Sequence, residues 1–349
     1  MFIDITRSNS MIEGIRQAAV TEWLSSNATN VSGPLSFELI TGGHSNLTYK
    51  VTDNNQKQWV LRRPPLGHVL KGAHDMGREH RLLSSLSMTQ VPVPPVIGMC
   101  TDAAVNDVDF YVTEFVNGHV LRDKQTAALV PLSNRSLLSD RIVEGLASIH
   151  SVDLEATQLA DLGKKEDYVA RQLRTWLRQF DAMTSRELPI IKRVHDALQD
   201  AIPIQAEATL IHGDYRLDNC LVTSDGHLSA VLDWEISTLG DPLADLGILL
   251  AYWSEPSDSF LPLGFSATIE AGFKSRRDLI DTYVKLTGRD VSNIDYYFAF
   301  ANWRLACILE GVHARYVGGA NVEIPEEVEI FPKSVVSLAL RAAEILGVD

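Results

Sequence analysis

The chain has 349 residues, 45% of them hydrophobic and 22% charged, with a net charge of −14. That composition suits a soluble globular protein with room for two cores, and the acidic balance argues against nucleic acid or an anionic membrane as the main partner, although a local basic patch could still meet an anionic small molecule. Cys100, Cys220 and Cys307 are widely spaced, make no metal or disulfide pattern, and point to a reducing, cytoplasmic setting. Residues 1–14 lack the basic start and apolar run of a secretory signal. No apolar stretch reaches the roughly 18 residues of a membrane span.

In chain order, the spacing of Ile12, Ile15, Ala19 and Trp23 predicts a helix over 11–24. Three strand-like runs follow at 37–41, 47–52 and 58–63, separated by Gly42, Gly43, His44, Ser45 and Asn46 and then by Asp53, Asn54 and Asn55. They read as a β-meander whose first turn is glycine-rich. Glycines let the backbone approach a phosphate and aim free amides at its oxygens. Arg62, on the third run, and Glu79, in a helix predicted over 73–88, have the order of the cation and carboxylate that orient nucleotide phosphates in kinases. The cation is Arg where Lys is usual, a planar donor fork in place of a point charge, and Arg63 next door is a second candidate for the role. Prolines at 92, 94 and 95 break the helix before strands at 96–100 and 110–116. Residues 114–118 read as a hinge, with backbone groups near Glu114 and Val116 available to an adenine edge.

Beyond the hinge the pattern turns helical, with predicted helices over 137–150, 165–180 and 189–201. His150 ends the first and reads as a partner of the helix dipole. Arg171, Arg174 and Arg178 make a basic stripe on the second. Further helices are predicted over 243–253, 275–286, 294–316 and 332–346, with Ser275 and Asp278 as a capping box and Asp241-Pro242 as a helix start. Residues 318–325 read as a flexible connection, and Asn302, Trp303 and Arg304 interrupt the apolar spacing of the helix before it.

The chain is organised around the segment from Leu210 to Asn219. His212 and Asp214, with Asn219 five residues after the Asp, follow the H-R-D-x-x-x-x-N spacing of a phosphoryl-transfer loop. Strand-like runs at 209–212, 220–223 and 228–232 frame it and lead to Asp233. A phosphoryl group in transfer spreads negative charge over three oxygens, so the site needs a divalent cation. Magnesium takes oxygen ligands, one or two carboxylates beside phosphate and water. Asn219 and Asp233 supply such oxygens, and Asp214 remains to accept or orient the proton of an acceptor hydroxyl. Asp245, inside an apolar helix, must find donors; the loop amides or His212 are the expected ones.

These residues resemble the aminoglycoside phosphotransferase (APH) family, of protein-kinase-like fold. The resemblance runs over roughly 35–316 and rests on Gly42 to Asn46, Trp59-Val60-Leu61-Arg62, Arg78-Glu79-His80, His212-Gly213-Asp214 with Asn219, Leu232-Asp233-Trp234, and Asp241-Pro242 with Asp245. Within the family it is similar to a subgroup that includes the kinase-like domain fused to acyl-CoA dehydrogenases in animals. The resemblance implies an α+β fold, with an N-terminal nucleotide-binding lobe over 1–115 and a larger, mainly helical lobe over 116–349. It implies ATP and Mg2+ as cofactors and a small-molecule hydroxyl as acceptor. In it Asp214 is the catalytic base, Asn219 and Asp233 are the metal ligands, and Gly42 to Asn46, Arg62 and Glu79 contact the nucleotide. Resistance enzymes line the acceptor cleft with carboxylates against polycations. Here Arg171, Arg174, Arg178 and Arg304 stand on the acceptor side, which points to an anionic acceptor such as a hydroxyacyl-CoA. The alternatives are a true aminoglycoside kinase and a nucleotide-binding regulatory module without turnover; the intact Asp214, Asn219 and Asp233 speak against the latter.

Overall fold

Runs that alternate apolar and polar residues can bury one face as strands, and helices with an apolar stripe can cover that face. The computed structural model describes residues 12–40, 46–66, 75–318 and 326–348. The chain divides into two compact units, Met1–Ser87 with Pro94–Val116, and Met88–Val93 with Asn117–Asp349.

The first unit holds helix α1 (Gln17–Asn27), strands β1 (Ser36–Leu39), β2 (Leu47–Thr52) and β3 (Gln58–Arg63), helix α2 (Met76–Leu86), and strands β4 (Val96–Cys100) and β5 (Phe110–Glu114). The strands form one antiparallel sheet in the order β1-β2-β3-β5-β4. Tyr49, Val51, Trp59, Leu61, Phe110 and Val112 point to one face and pack with Val20 and Leu24 of α1. Trp23 meets Phe110 edge-on at 5.1 Å. Helix α1 starts six residues later than its periodicity predicts. Ile12 and Ile15 pack into the same cluster from the turn before it, so their apolar spacing serves the core without being helical. Asp75 caps α2 through its side chain, which accepts from the Arg78 amide.

The second unit holds α3 (Lys124–Ala127), α4 (Leu132–His150), α5 (Tyr168–Met183), α6 (Pro189–Asp200), β6 (Thr209–Ile211), β7 (Cys220–Val222), β8 (Leu228–Val231), β9 (Thr238–Gly240), α7 (Pro242–Tyr252), α8 (Arg276–Thr287), α9 (Ile294–Val317) and α10 (Glu326–Leu346). Its centre is α7. Every residue from Pro242 to Ala251 is buried, as expected of a helix apolar on all sides. The 24-residue α9 packs against α5, α7 and α10. The Ser275–Asp278 capping box forms as expected. Helix α10 begins six residues before Pro332, which lies inside it; reading that proline as a helix start places the beginning too late. No helix among the described residues is long and apolar enough to cross a membrane. All three cysteines are buried and free.

Candidate active site

Two short antiparallel pairs hold the central loop. β6 pairs with β9 and β7 with β8. Pro92 accepts from the Val231 amide and steadies the second pair. β9 is only three residues long and its sequence gives no strand signal, yet it closes the frame on the side opposite the hairpin. Gly240, its last residue, lies under the Tyr168 ring, and a Cβ there would come 2.5 Å from that ring.

His212 is held at every polar atom. Its amide donates to Asp245 Oδ2 at 2.6 Å and the next amide, Gly213, to Asp245 Oδ1 at 2.8 Å. Its carbonyl accepts from Ser237 Oγ at 3.1 Å. Nε2 lies 2.9 Å from the Leu232 carbonyl, which can only accept, so Nε2 carries the proton; Nδ1 then accepts from the Asp214 amide at 3.2 Å. The Trp234 ring lies against the imidazole at 4.7 Å. Gly213 itself has φ 86°, and a Cβ there would sit 3.1 Å from the Ile236 carbonyl oxygen. This is a backbone shape that L side chains resist.

Asp245 therefore takes the expected backbone amides, together with a partner that the sequence does not single out. His150 Nε2 lies 3.4 Å from Asp245 Oδ2, and His150 Nδ1 lies 2.7 Å from the Tyr283 hydroxyl. His150 is thus a buried support of the loop as well as a helix terminus. Burial pushes its pKa down, against the pull of Asp245. For Asp245, burial raises the pKa, but the bonds from His150 and the charges nearby outweigh it and leave the carboxyl below its usual range. The arrangement is a neutral imidazole donating to a carboxylate.

Asp214, the next side chain along, uses one oxygen for positioning. Its Oδ2 accepts from Arg216 Nε at 3.2 Å and from Asn219 Nδ2 at 3.0 Å. Oδ1 takes no hydrogen bond among the described residues. Arg216 also donates to Asp218 at 2.7 Å and lies 4.9 Å over the Tyr252 ring. Burial disfavours the Arg216 charge, yet Asp214, Tyr252 and Asp218 together raise its pKa and keep it cationic. Burial outweighs the same attraction at Asp218, whose pKa is raised. Arg216 and Asp218 were not singled out in the sequence. Their signal was spacing: two charges within four residues of Asp214, on a loop whose neighbours are buried.

Asn219 ends a single 3-10 turn, Leu217–Asn219. Its amide nitrogen is committed to Asp214, to the carbonyl at 2.9 Å as well as to Oδ2. Its Oδ1 takes no hydrogen bond among the described residues. The Asn219 carbonyl accepts from the Leu232 amide at 2.8 Å, which brings the next residue, Asp233, beside the loop. Asp233 adopts left-handed backbone, φ 63°. For a residue with a side chain this is a sparsely used shape, of the kind found where function fixes a side chain. An amide oxygen and a carboxylate on hydrogen-bonded neighbours are a donor set of the type magnesium accepts, with its other positions left to phosphate and water. The chemistry of the residues present therefore fits the cation that the motif implies.

In the first unit, Arg62 lies on the central strand β3, on the face opposite Trp59 and Leu61, and forms an ion pair with Glu79 at 3.3 Å. Arg63 points the other way, is 2% exposed, and is engaged by the Gly14 carbonyl and by Asp107. Strand alternation thus separates the two arginines, and only Arg62 meets the helix carboxylate. The Glu114 amide is occupied by the Pro95 carbonyl at 2.8 Å. Val116 is half-buried, in the segment after β5. Asn46 is buried, while Gly42, Gly43, His44 and Ser45 lie outside the described residues.

The four acceptor-side arginines do not form one patch. Arg171 turns back to the Lys164 carbonyl at 2.8 Å, and Arg174 and Arg178 are exposed. Only Arg304 is buried, at 5% exposure, with its guanidinium 5.2 Å over the Trp176 ring. Of its neighbours on α9, Trp303 donates into the core at the Ile191 carbonyl and Asn302 to the Phe298 carbonyl.

The model of the phosphotransferase enzyme family, APH, matches residues 36–279. The chain belongs to this phosphotransferase family. It is 35% identical to acyl-CoA dehydrogenase family member 10 of Mus musculus, over 83% of this chain and 27% of that protein. It is 32% identical to acyl-CoA dehydrogenase family member 11 of Gallus gallus, over 98% of this chain and 44% of that protein. The chain thus spans less than half the length of these curated relatives. Among solved structures, a Ralstonia eutropha JMP134 protein classed provisionally with the aminoglycoside phosphotransferases matches with a TM-score of 0.79 and 29% identity, over 95% of this chain and 98% of that one. The protein-kinase-like α+β fold expected from the sequence is the fold observed.

Proposed function

We propose that the chain is an ATP- and Mg2+-dependent kinase that moves the γ-phosphate to a hydroxyl of a small molecule. The observation that carries this reading is the Asp214–Asn219 pair. One carboxylate oxygen of Asp214 is fixed by Asn219 and Arg216, the other takes no hydrogen bond among the described residues, and the Asn219 backbone carbonyl accepts from Leu232, the residue before Asp233. Asp214 orients the acceptor hydroxyl through Oδ1 and takes its proton as the bond to phosphorus forms. Asn219 and Asp233 are the magnesium ligands, and the cation, when bound, neutralises charge on the phosphate oxygens. His212 and Asp245 keep the loop in shape. In the first unit Arg62, braced by Glu79, orients the nucleotide phosphates together with Asn46, and the backbone at Glu114 and Val116 meets the base.

The acceptor side carries Arg304, a cation with no carboxylate within 4.0 Å among the described residues, where a polycation would be repelled. This supports an anionic acceptor, of which a hydroxyacyl-CoA is the first to try. ADP release with Mg2+ and ATP, measured against hydroxyacyl-CoAs, free hydroxy acids, choline-like alcohols and aminoglycosides, tests the reading. Stimulation by an alcohol that Asp214→Asn abolishes supports it. ATP binding with no stimulation by any alcohol supports the module without turnover.

A further inference from the structure

A buried arginine normally has a carboxylate or a set of carbonyls to receive its five donors, because a guanidinium without acceptors forfeits its hydration and gets nothing back. Arg186 has Glu310, Arg276 has Glu255 and Asp258, and Arg289 has Glu207. Those three are only half-buried, and Arg304 is more deeply buried than any of them. Among the described residues, however, no carboxylate comes within 4.0 Å of it, and its guanidinium donates no hydrogen bond. Its Nε is fully enclosed and without a partner. One face of the fork is covered by Trp176 of α5. Stacking on an indole holds the plane of a guanidinium while leaving its edge open for a planar acceptor.

The surroundings have the same character. The Tyr168 and Tyr252 hydroxyls, on α5 and at the end of α7, also make no hydrogen bond among the described residues. Both phenols feel the Arg304 charge, which lowers their pKa against the larger upward effect of burial; the net result at Tyr168 is a pKa pushed up to about 12. Tyr252 in turn carries Arg216, which donates to Asp214. Arg304 is thus coupled through its charge to Tyr252, and contacts lead on from Tyr252 to the carboxylate that would take the acceptor proton, all within the second unit. α9, α5 and α7 pack together, so the position is built from helices and not from loops.

We propose that Arg304 is the residue that selects the acceptor, binding an oxyanion of it, a carboxylate or a phosphate, between Trp176 and the hydroxyls of Tyr168 and Tyr252. This inference rests on the kinase reading for its chemistry and deepens it. The site takes an alcohol that carries a negative group at a distance from its hydroxyl, the anion on Arg304 and the hydroxyl on Asp214. The exposed Arg174 and Arg178 have no part in it.

The test pairs each anionic alcohol with a neutral partner: an ω-hydroxycarboxylate with its methyl ester, and a phosphorylated diol with the parent diol. In the wild type the charged member should have the lower KM, by about 10- to 100-fold, the range of a charge-assisted pair. Arg304→Gln should raise the KM of the charged member to that of its neutral partner and leave the KM for ATP alone. Arg304→Lys should fall between the two. Arg304→Met, which keeps the volume and the contact with Trp176, serves if the Gln variant does not fold. The carboxylate and phosphate series separate the two sources of the anion. Calorimetric binding of the same hydroxycarboxylates and phosphorylated diols to Asp214→Asn protein gives a readout without turnover. Oxyanion binding that requires Arg304, with no transfer to any alcohol, would sustain the subsite and sink the kinase reading. Equal transfer to charged and neutral partners, unchanged in Arg304→Gln and Arg304→Met, would overturn the subsite and leave the kinase reading standing.

Discussion

Two buried polar centres adjoin α7, and they are finished to different degrees. Around His212 every donor has an acceptor: Asp245 receives two amides and His150, Ser237 reaches the His212 carbonyl, and the imidazole bridges the Leu232 carbonyl and the Asp214 amide. Around Arg304 the guanidinium, stacked on Trp176, and two phenol hydroxyls make no hydrogen bond among the described residues. A satisfied network in a low dielectric is rigid, since each member is costly to move. An unsatisfied one is costly to keep, and it persists where a ligand supplies what is absent. The first centre holds the shape of the loop, and the second is the one we propose selects the substrate.

Breaking the finished centre should give the largest effect. Asp245→Ala strands two amides and an imidazole in the core. Denaturant unfolding should show a loss of about 3–5 kcal/mol, the usual cost of removing one partner from a buried charged network. Gly213→Ala tests the backbone in the same place. A methyl at φ 86°, close to the Ile236 carbonyl, should cost about 1–2 kcal/mol by the same measurement. It should also lower kcat more than KM, because the strain falls on Asp214's neighbour.

Acid sharpens the comparison without a mutation. Because burial lowers the His150 pKa, the unfolded chain binds a proton that the folded chain refuses. His150's contribution is therefore complete above the ordinary imidazole pKa of about 6.5 and is lost as the pH falls below it, with a slope of at most about 1.4 kcal/mol per pH unit. The lowered pKa of Asp245 adds a second loss in the carboxylate range. Unfolding free energies between about pH 7 and 5 should show the first slope in the wild type and a weaker one in His150→Asn. The smallest effect lies far from both centres. Ser275→Ala removes the capping box of α8 and should cost about 1 kcal/mol, with no change in any KM.

The loop was legible because its chemistry is local. His212, Asp214, Asn219 and Asp233 fall within one frame of short strands, and spacing alone proposed their roles. β2 was legible to the residue because it alternates between apolar and polar positions, and β3 and β4 because each is a short apolar run bounded by turn or proline signals. What the sequence hid was contributed from a distance. His150 meets Asp245 across 95 residues, and Arg304, which stood out as a break in the apolar spacing of α9, meets Trp176 from another helix, so neither partner has a local pattern. The stripe of Arg171, Arg174 and Arg178 had the better pattern and the poorer environment: periodicity reports which residues share a helix face and says nothing of what covers that face. β9 escaped because three residues carry too little alternation to read.

The central claim is that Asp214 acts on an acceptor hydroxyl while Asn219 and Asp233 hold the cation. The most direct test is single-turnover transfer of labelled γ-phosphate from ATP with Mg2+ to an alcohol that stimulates ADP release, run beside ATP binding in the same samples. For Asp214→Asn the account predicts transfer slower by roughly 10^2- to 10^4-fold with ATP affinity unchanged. Transfer at the wild-type rate in that variant would contradict it.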